Sequence, residues 1–313
     1  MCGKTTDILL TVFTPTYNRK ELLGRAFKSL CAQSCHDFKW LIVDDGSTDG
    51  TREAFEDIEA PFEITYVYRE NGGKMRAHNT GSALCDTELF LCLDSDDILA
   101  PDAVRLITES WKEHRGTHFC TKDSAQRAGI VAYKGMSAKD LWELTDSYDE
   151  TQVRRFRDAA FMPEDTGRGY STLRGLYLNG FFGETTLVFR TELLKKFPFP
   201  EIPGEKYVPE DYVYDKIDGM CPLLVMDEIL TVCELVSGGY TDQAARLRRD
   251  NPQGWLLYYE QRMRLENPLM LKIKYLSHYR RFCDITGKKS ELAGVERVVS
   301  ALGAALLRMF GKT

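Results

Sequence analysis

The chain has 313 residues, enough for one large domain or two ordinary ones. Its hydrophobic fraction of 43% and charged fraction of 28% are ordinary for a globular protein and exclude collagen-like, disordered and disulfide-scaffold classes. The formal net charge of −6 argues against a nucleic-acid coat, so we expect no nucleic-acid partner.

The charge is unevenly distributed along the chain. Residues 245–313 carry 14 Lys or Arg against 6 Asp or Glu, so the remainder is strongly acidic. A basic C-terminal segment suggests an anionic partner such as a membrane surface, and a solvated basic face explains it equally well.

The cysteines indicate the compartment. There are nine of them, an odd number, and they are scattered, which is typical of a reducing environment. The apolar run over residues 8–13 is too short for a signal peptide or a membrane span. We therefore expect a cytoplasmic protein.

Strands and helices alternate over the first 115 residues. The pattern predicts strands over 8–13, 39–43, 64–68 and 89–93, and helices over 19–33, 51–58, 75–84 and 101–114. Helices of this length between strands indicate βαβ units and a parallel sheet.

The pattern after residue 115 is less regular. It predicts strands over 129–134 and 185–190, a helix that begins at Ala138 with Ser137 as its cap, and a helix from Glu210–Asp211 to Asp218. Beyond Trp255 the pattern is mostly helical. We therefore predict an α/β chain with a helical C-terminal part.

Four polar loops follow the first four predicted strands. They comprise residues 14–18, 44–50, 71–74 and 94–97. Because ligands of open parallel sheets bind beyond the carboxyl ends of the strands, these loops predict a functional site at one edge of the sheet.

The fourth loop contains Asp94, Asp96 and Asp97. Carboxylates this close repel one another, and a divalent cation relieves the repulsion. Hard oxygen ligands suit Mg²⁺ or Mn²⁺, which would bridge the phosphates of a nucleotide. Capping of the following helix explains one of these acids but not all three.

The second and third loops contain further candidates. A carboxylate at Asp44 or Asp45 is able to accept from the N–H of a uracil ring, and an Asx-turn is the alternative for either. Lys74 follows Asn71-Gly72-Gly73 at a helix start, a combination that suits phosphate. A plain turn with a solvated Lys remains open.

Glu210 and Asp211 are adjacent acids at the start of a predicted helix. One role for such a group is a general base that takes a proton from an acceptor hydroxyl. The other is favourable interaction with the helix dipole.

Taken together, these motifs resemble family 2 glycosyltransferases of the GT-A fold. Five strings carry the resemblance, in the family's order: TVFTPTYNR, LIVDDGSTDGT, NGGKMRAHNTG, LDSDD and GEKYVPEDYVYDKI. The close match covers residues 10–97 and resumes over 204–217. It implies a GT-A fold with one mostly parallel nucleotide-binding sheet flanked by helices, followed by a mainly helical C-terminal extension.

The resemblance also implies roles for the first two loops. The loop of Thr14, Pro15 and Tyr17 would pack against the nucleoside of the donor. Asp45 would face the base, and Asp44 would support that loop.

The remaining roles concern the donor phosphates and the reaction. Lys74 would lie near the phosphates and Asp94 near the ribose or sugar. The last group comprises the metal-binding Asp96, the supporting Asp97, the catalytic base Asp211 and its neighbour Glu210.

The implied domains are a GT-A domain over 1–240, with a donor half over 1–115 and an acceptor half over 116–240, and an extension over 241–313. The implied activity is inverting transfer of a sugar from a nucleotide-sugar, a UDP-sugar in our interpretation, to a hydroxyl of a glycan or lipid-linked saccharide. Mg²⁺ or Mn²⁺ would be the cofactor.

Two other functions are compatible with the same class of fold, and each makes an expectation about the sequence. A non-catalytic nucleotide or glycan binder on the same fold would be expected to have lost an acid, and both Asp96 and Asp211 are present. A sugar-nucleotide pyrophosphorylase would need a Gly-rich loop with Arg after the first strand, where this chain has Thr14-Pro15-Thr16-Tyr17.

An apolar stripe near the C-terminus has three interpretations. It comprises Leu292, Val295, Val299, Leu302, Leu306 and Phe310. The stripe would suit peripheral contact with the inner membrane face, packing on the body of the protein, or a second subunit in a homo-oligomer. The sequence leaves these alternatives open.

Overall fold

The computed structural model describes residues 8–114, 127–136, 150–160, 168–233 and 243–309. The helix predicted from Ala138, its cap Ser137 and Phe310 of the predicted stripe lie outside these ranges.

The strands follow in chain order: β1 Leu10–Thr16, β2 Phe38–Asp44, β3 Glu63–Tyr68, β4 Leu89–Cys92, β5 Ile98–Leu99, β6 Gly129–Tyr133, β7 Gly135–Met136, β8 Arg168–Ser171, β9 Thr185–Arg190, β10 Leu223–Met226 and β11 Thr231–Cys233.

The helices are α1 Lys20–Cys31, α2 Thr51–Phe55, α3 Lys74–Leu84, α4 Ala103–His114, α5 Glu150–Ala159, α6 Leu173–Leu178, α7 Thr191–Lys196, α8 Asp211–Asp218, α9 Ala244–Asp250, α10 Pro252–Arg264, α11 Leu269–Thr286 and α12 Gly294–Met309. None of the described helices is both long and apolar enough to cross a bilayer.

The main sheet has the strand order β3-β2-β1-β4-β9-β6-β10-β8. The half formed by β3, β2, β1 and β4 is wholly parallel, as the βαβ pattern predicts. The other half mixes parallel and antiparallel pairs. A small sheet, β5-β11-β7, accompanies it. The four predicted polar loops thus lie at the carboxyl edge of the parallel half.

The first strand extends further than predicted, to Thr16 rather than residue 13. β1 pairs with β2 over its whole length but with β4 only as far as Phe13. Pro15 therefore lies where β1 has a neighbour on one side, and its missing N–H is tolerated. The strand carries the peptide up to Tyr17, at the mouth of the site.

The helix α2 is shorter than predicted and ends at Phe55. The following residues, 56–59, include three acids. Negative charge at the C-terminal end of a helix opposes the helix dipole, which disfavours extension over these residues.

The core of the parallel half is apolar and aromatic. β1 is buried along its whole length, and α1 covers the sheet with Leu23, Ala26 and Leu30, which are fully buried. On the same core, Phe27 stacks on Trp40 with ring centroids 5.6 Å apart. This packing fixes the strand ends from which the polar loops begin.

Contacts divide the chain into two compact units. The first comprises Met1–Pro198 and Val213–Val236, and the second comprises Phe199–Tyr212 and Ser237–Thr313. The second unit therefore includes a segment well upstream of the predicted boundary at residue 240. The division into a GT-A domain and a C-terminal extension stays a prediction.

Candidate active site

The first two loops are joined by Asn18. Its backbone N–H donates to the Ser47 hydroxyl at 2.8 Å, and its side-chain oxygen accepts from the Thr48 N–H at 2.7 Å. Asn18 has a positive φ of 51°, which this residue type tolerates better than most. The loops after β1 and β2 therefore form one connected surface.

The loop after β2 is braced by Asp44. One of its oxygens accepts from the Ser47 N–H at 2.7 Å, forming the local turn that the sequence left open, and the other accepts from the Tyr66 hydroxyl. Burial and the Asp44 charge hold the pKa of Tyr66 above its usual range. Asp44 is fully buried, so in this structure it supports the loop.

Asp45 ties the second loop to the third. Its carboxylate accepts from the N–H groups of Gly72 at 2.9 Å and Gly73 at 2.6 Å, and its backbone carbonyl accepts from the Asn71 amide at 2.8 Å. The side chain is nearly buried. The Nε of Arg69 also lies 3.5 Å from Oδ1 of Asp45. A carboxylate has about four acceptor sites, so Asp45 keeps capacity for one further donor.

The first loop divides into a buried part and an exposed part. Thr14 is fully buried, and its hydroxyl accepts from the Trp40 indole N–H at 3.0 Å. Pro15 is also buried, whereas Tyr17 is exposed. Tyr17 is thus the side chain of this predicted group that a ligand would reach first.

The fourth loop alternates in exposure. Leu93, Ser95 and Asp97 are buried, whereas Asp94 and Asp96 are partly exposed. Lys74 contacts Asp94, with 2.8 Å from Nζ to Oδ1. Burial alone would raise the pKa of Asp94, but the ammonium groups of Lys74 and Lys134 outweigh burial and lower it to about 2. Asp94 is therefore a carboxylate at neutral pH.

The other two acids of this loop also have basic partners. The guanidinium of Arg19 lies 2.8 Å from Asp96, and the ammonium of Lys134 pairs with the buried Asp97. Burial raises the pKa of Asp97, with Lys134 opposing, and Asp97 in turn helps to keep Lys134 protonated. Each of the three acids of the fourth loop is thus paired with a basic side chain from another part of the chain.

These residues restrict how a metal would bind. Across the parts of the chain that the structure describes, no set of three or more His, Cys, Asp or Glu side chains is grouped to hold a metal by itself. Asp97 is buried against Lys134, whereas Asp96 is partly exposed. A divalent cation such as Mg²⁺ or Mn²⁺ would therefore depend on one protein carboxylate together with ligand phosphates and water, an arrangement that Mg²⁺ often takes.

The predicted base and its neighbour belong to the second unit. Asp211 begins α8, and its carboxylate pairs with Arg262 of α10 at 2.8 Å. The Arg262 side chain is buried, whereas 52% of the Asp211 side chain is exposed. Local burial and the charge of Glu210 raise the pKa of Asp211, and Arg262 opposes them. The Asp211 carboxylate is therefore accessible to solvent, and the buried guanidinium of Arg262 orients it.

Sequence reasoning missed four cations that pair with the predicted acids: Arg19, Arg69, Lys134 and Arg262. Three of them had a signal. Arg19 closes the first family string, Arg69 directly follows the third predicted strand, and Lys134 ends a later predicted strand. Arg262 lies in an ordinary helical pattern, 51 residues from its partner, and nothing in the sequence distinguishes it.

An open α/β sheet with polar loops at the carboxyl edge of its parallel half is an architecture that GT-A glycosyltransferases share with other nucleotide-binding folds. The Glycosyl transferase family 2 profile matches residues 11–169, about half of the chain. The chain therefore belongs to glycosyl transferase family 2, a family of glycosyltransferase enzymes. The predicted family and the predicted fold class are both confirmed.

Curated relatives match the N-terminal part. Validoxylamine A glucosyltransferase of Streptomyces hygroscopicus subsp. jinggangensis is 37% identical over 112 residues, which are 34% of this chain and 26% of that protein. Chondroitin synthase of Escherichia coli is 33% identical over 106 residues, which are 34% of this chain and 16% of that protein. The match thus covers about a quarter or less of these relatives.

Solved structures share the fold over most of the chain. S. aureus TarS 1–349 in complex with UDP-GlcNAc aligns with a TM-score of 0.59 and 17% identity, over 94% of this chain and 79% of that one. The same protein in complex with UDP aligns with a TM-score of 0.57 and 17% identity, over 88% and 71%. At this identity the likeness establishes the fold.

Proposed function

We propose that this protein is an inverting glycosyltransferase that moves a sugar from a UDP-sugar to a hydroxyl of a glycan or lipid-linked saccharide. One observation carries the proposal. The loops after β1, β2, β3 and β4 are bonded into one surface at the carboxyl edge of the parallel half, where ligands of such sheets bind. That TarS is solved with UDP and UDP-GlcNAc supports the choice of donor.

The first three loops would bind the nucleoside. Tyr17 offers an exposed ring for the uracil, above the buried Thr14 and Pro15. Asp45 would accept from the uracil N–H with its remaining acceptor capacity, and Asp44 would hold the turn in place.

The fourth loop and the start of α3 would bind the diphosphate and sugar. Lys74 and the backbone N–H groups at the N-terminus of α3 supply positive potential for phosphate. Asp94 would accept from a hydroxyl of the ribose or sugar. Asp96, supported by Asp97 and Lys134, would hold Mg²⁺ or Mn²⁺ together with the phosphates.

The reaction would proceed by one displacement at the anomeric carbon. Asp211 would remove the proton of the acceptor hydroxyl as its oxygen forms the new bond, and the bond to the nucleoside diphosphate would break on the opposite side, with inversion. Glu210 beside it raises the basicity of Asp211 through its charge. The metal, when bound, would stabilise the charge on the leaving diphosphate.

The test measures the rate of UDP release from UDP-sugars by the variant Asp211→Asn. The control variant is Asp250→Asn, which removes an exposed carboxylate elsewhere in the second unit. We expect Asp211→Asn to lower kcat by about 10²–10⁴-fold, because a general base contributes on that scale. The Kd of UDP should not change, and Asp250→Asn should behave as wild type.

Two results would contradict the proposal. Equal rates for Asp211→Asn and wild type would remove Asp211 as the base. Absence of both UDP binding and UDP release in the wild type would remove the UDP-sugar assignment itself.

A further inference from the structure

The last helix packs against its neighbour through its smallest residues. Ser300 and Ala304 of α12 are fully buried. Gly303 lies so close to α11 that a Cβ there would be 1.8 Å from the Ser277 hydroxyl oxygen. The inward face of α12 is therefore a line of small side chains.

The large apolar side chains of the same helix point outward. Val295, Val298 and Leu302 are 59–78% exposed. Their spacing of three and four residues places them on one face. An amphipathic helix of a globular protein normally buries its large apolar residues, so packing among the residues of this unit that the structure describes does not account for the outward face of α12.

The neighbouring helix adds to this surface. Lys272 of α11 pairs with Glu296 of α12 at 3.0 Å, so the N-terminal ends of the two helices lie side by side. Leu269 and Met270, at that end of α11, are 73% and 76% exposed. We call Leu269, Met270, Val295, Val298 and Leu302 the C-terminal apolar patch.

The two helices that carry the patch have an excess of basic residues. Together α11 and α12 contain six Lys or Arg and two Asp or Glu. Lys274 and Arg297, on the same two helices, are exposed. A second copy of this chain would bring a surface of like charge, whereas an anionic lipid surface would complement both the apolar side chains and the cations.

We propose that the C-terminal apolar patch docks on an anionic membrane surface, with α12 lying in the plane of the interface. An apolar face flanked by basic residues is the pattern of interfacial helices. The proposal concerns a surface distinct from the candidate donor site and does not depend on the activity.

The test is flotation of the full chain with vesicles of phosphatidylcholine, with or without phosphatidylglycerol. We expect binding that requires phosphatidylglycerol and weakens with salt. The double variant Val298→Gln with Leu302→Gln should bind at least about tenfold more weakly, because two apolar side chains no longer enter the interface. Arg297→Gln should weaken binding by about fivefold.

Leu84→Gln, which replaces an exposed leucine of the first unit, is the matched control and should bind as wild type. UDP binding and thermal unfolding of each variant verify the fold. The proposal is overturned if the wild type fails to float, if it floats equally without phosphatidylglycerol, or if the double variant binds as wild type. Sedimentation showing a dimer that the double variant loses, without vesicle binding, would assign the patch to a second copy.

Discussion

At the scale of single residues, Gly46 shows how closely the loops of the candidate site approach one another. It has a φ of +91°, and a Cβ there would lie 2.8 Å from the backbone nitrogen of Asn71. Side chains rarely adopt this conformation, and the neighbouring backbone leaves no room for one. The contact between the second and third loops therefore requires glycine.

We predict that Gly46→Ala lowers the free energy of unfolding by about 3 kcal/mol, from the left-handed conformation and the clash together. Gly180→Ala is the control, because Gly180 has a φ of +95° with no heavy atom within 4 Å of the added Cβ. It should cost about 1–2 kcal/mol. Unfolding in urea measures the free energy of unfolding of both variants. Equal losses in the two variants would mean that the close approach of Asn71 to Gly46 does not exclude a side chain.

Arg262 is expected to position the candidate base and keep it ionised. Among the residues of the second unit that the structure describes, the groups that face Asp211 are Arg262, Glu210 and Tyr258. Arg262 is the cation among them and opposes the rise in the pKa of Asp211. Removing Arg262 should therefore raise that pKa further.

We predict that Arg262→Gln moves the acid limb of the kcat/KM profile to higher pH, so that activity falls more at low pH than at high pH. Arg262→Lys should restore much of the wild-type profile. Rates measured across the pH range with a UDP-sugar test this. A loss of equal size at every pH would indicate a structural role alone.

At the scale of elements, α3 connects the candidate site to the core. Lys74 at its start reaches the fourth loop, while its inner face packs so closely on β1 that a Cβ at Gly81 would lie 2.4 Å from the Phe13 ring. His78 on that face contacts the rings of Phe13 and Phe90, with centroids 5.5 and 5.2 Å away. The packing of α3 on the rings of Phe13 and Phe90 therefore holds the helix, and Lys74 at its start, in position.

His78 makes this packing sensitive to pH. Burial, with a smaller effect of Lys74, lowers its pKa from 6.5 to about 3. Below pH 6.5 His78 is protonated in the unfolded chain but stays neutral in the folded chain. The free energy of unfolding that is present above pH 6.5 is therefore lost progressively as the pH falls toward 3. We predict a loss of about 2 kcal/mol at pH 5 from this residue.

The measurement is the free energy of unfolding in urea at neutral pH and at pH 5, for wild type and His78→Phe. The variant should lose less stability between the two pH values than the wild type, whatever its absolute stability. The same loss in both proteins would show that the folded chain accommodates a protonated His78.

At the scale of the whole molecule, the sequence predicts the parallel half far better than the rest. Strands such as β4 can be recognised locally because burial on both faces leaves an unbroken apolar run. The start of β1 is recognised in the same way, because Thr11 is the one polar residue over residues 8–13. The strand ends then locate the polar loops. The parallel pairing of these strands and the family resemblance followed from the same segments, whereas the strand order of the sheet did not.

The short strands and the ion pairs of the site depend on contacts between residues far apart in the chain, which a local sequence pattern does not predict. β5 and β7 are two residues long, and β11 has three, so long-range pairing is what makes them a sheet. The pairing of Lys134 with Asp97 requires the register of β6 in the main sheet, which the sequence does not specify. Likewise, the turn bond of Asp44 is one of the alternatives that the sequence offers, but the bond of Asp44 to Tyr66 and the bonds of Asp45 to Gly72 and Gly73 are not.

In our proposal, the loops at the carboxyl edge of the parallel half bind the uridine diphosphate of the donor. Calorimetric titration of the full chain with UDP, with and without Mn²⁺, and with GDP as the control, is the first experiment to make. We expect UDP to bind more tightly than GDP and Mn²⁺ to strengthen the binding of UDP. Failure of UDP to bind under either condition would contradict the proposal.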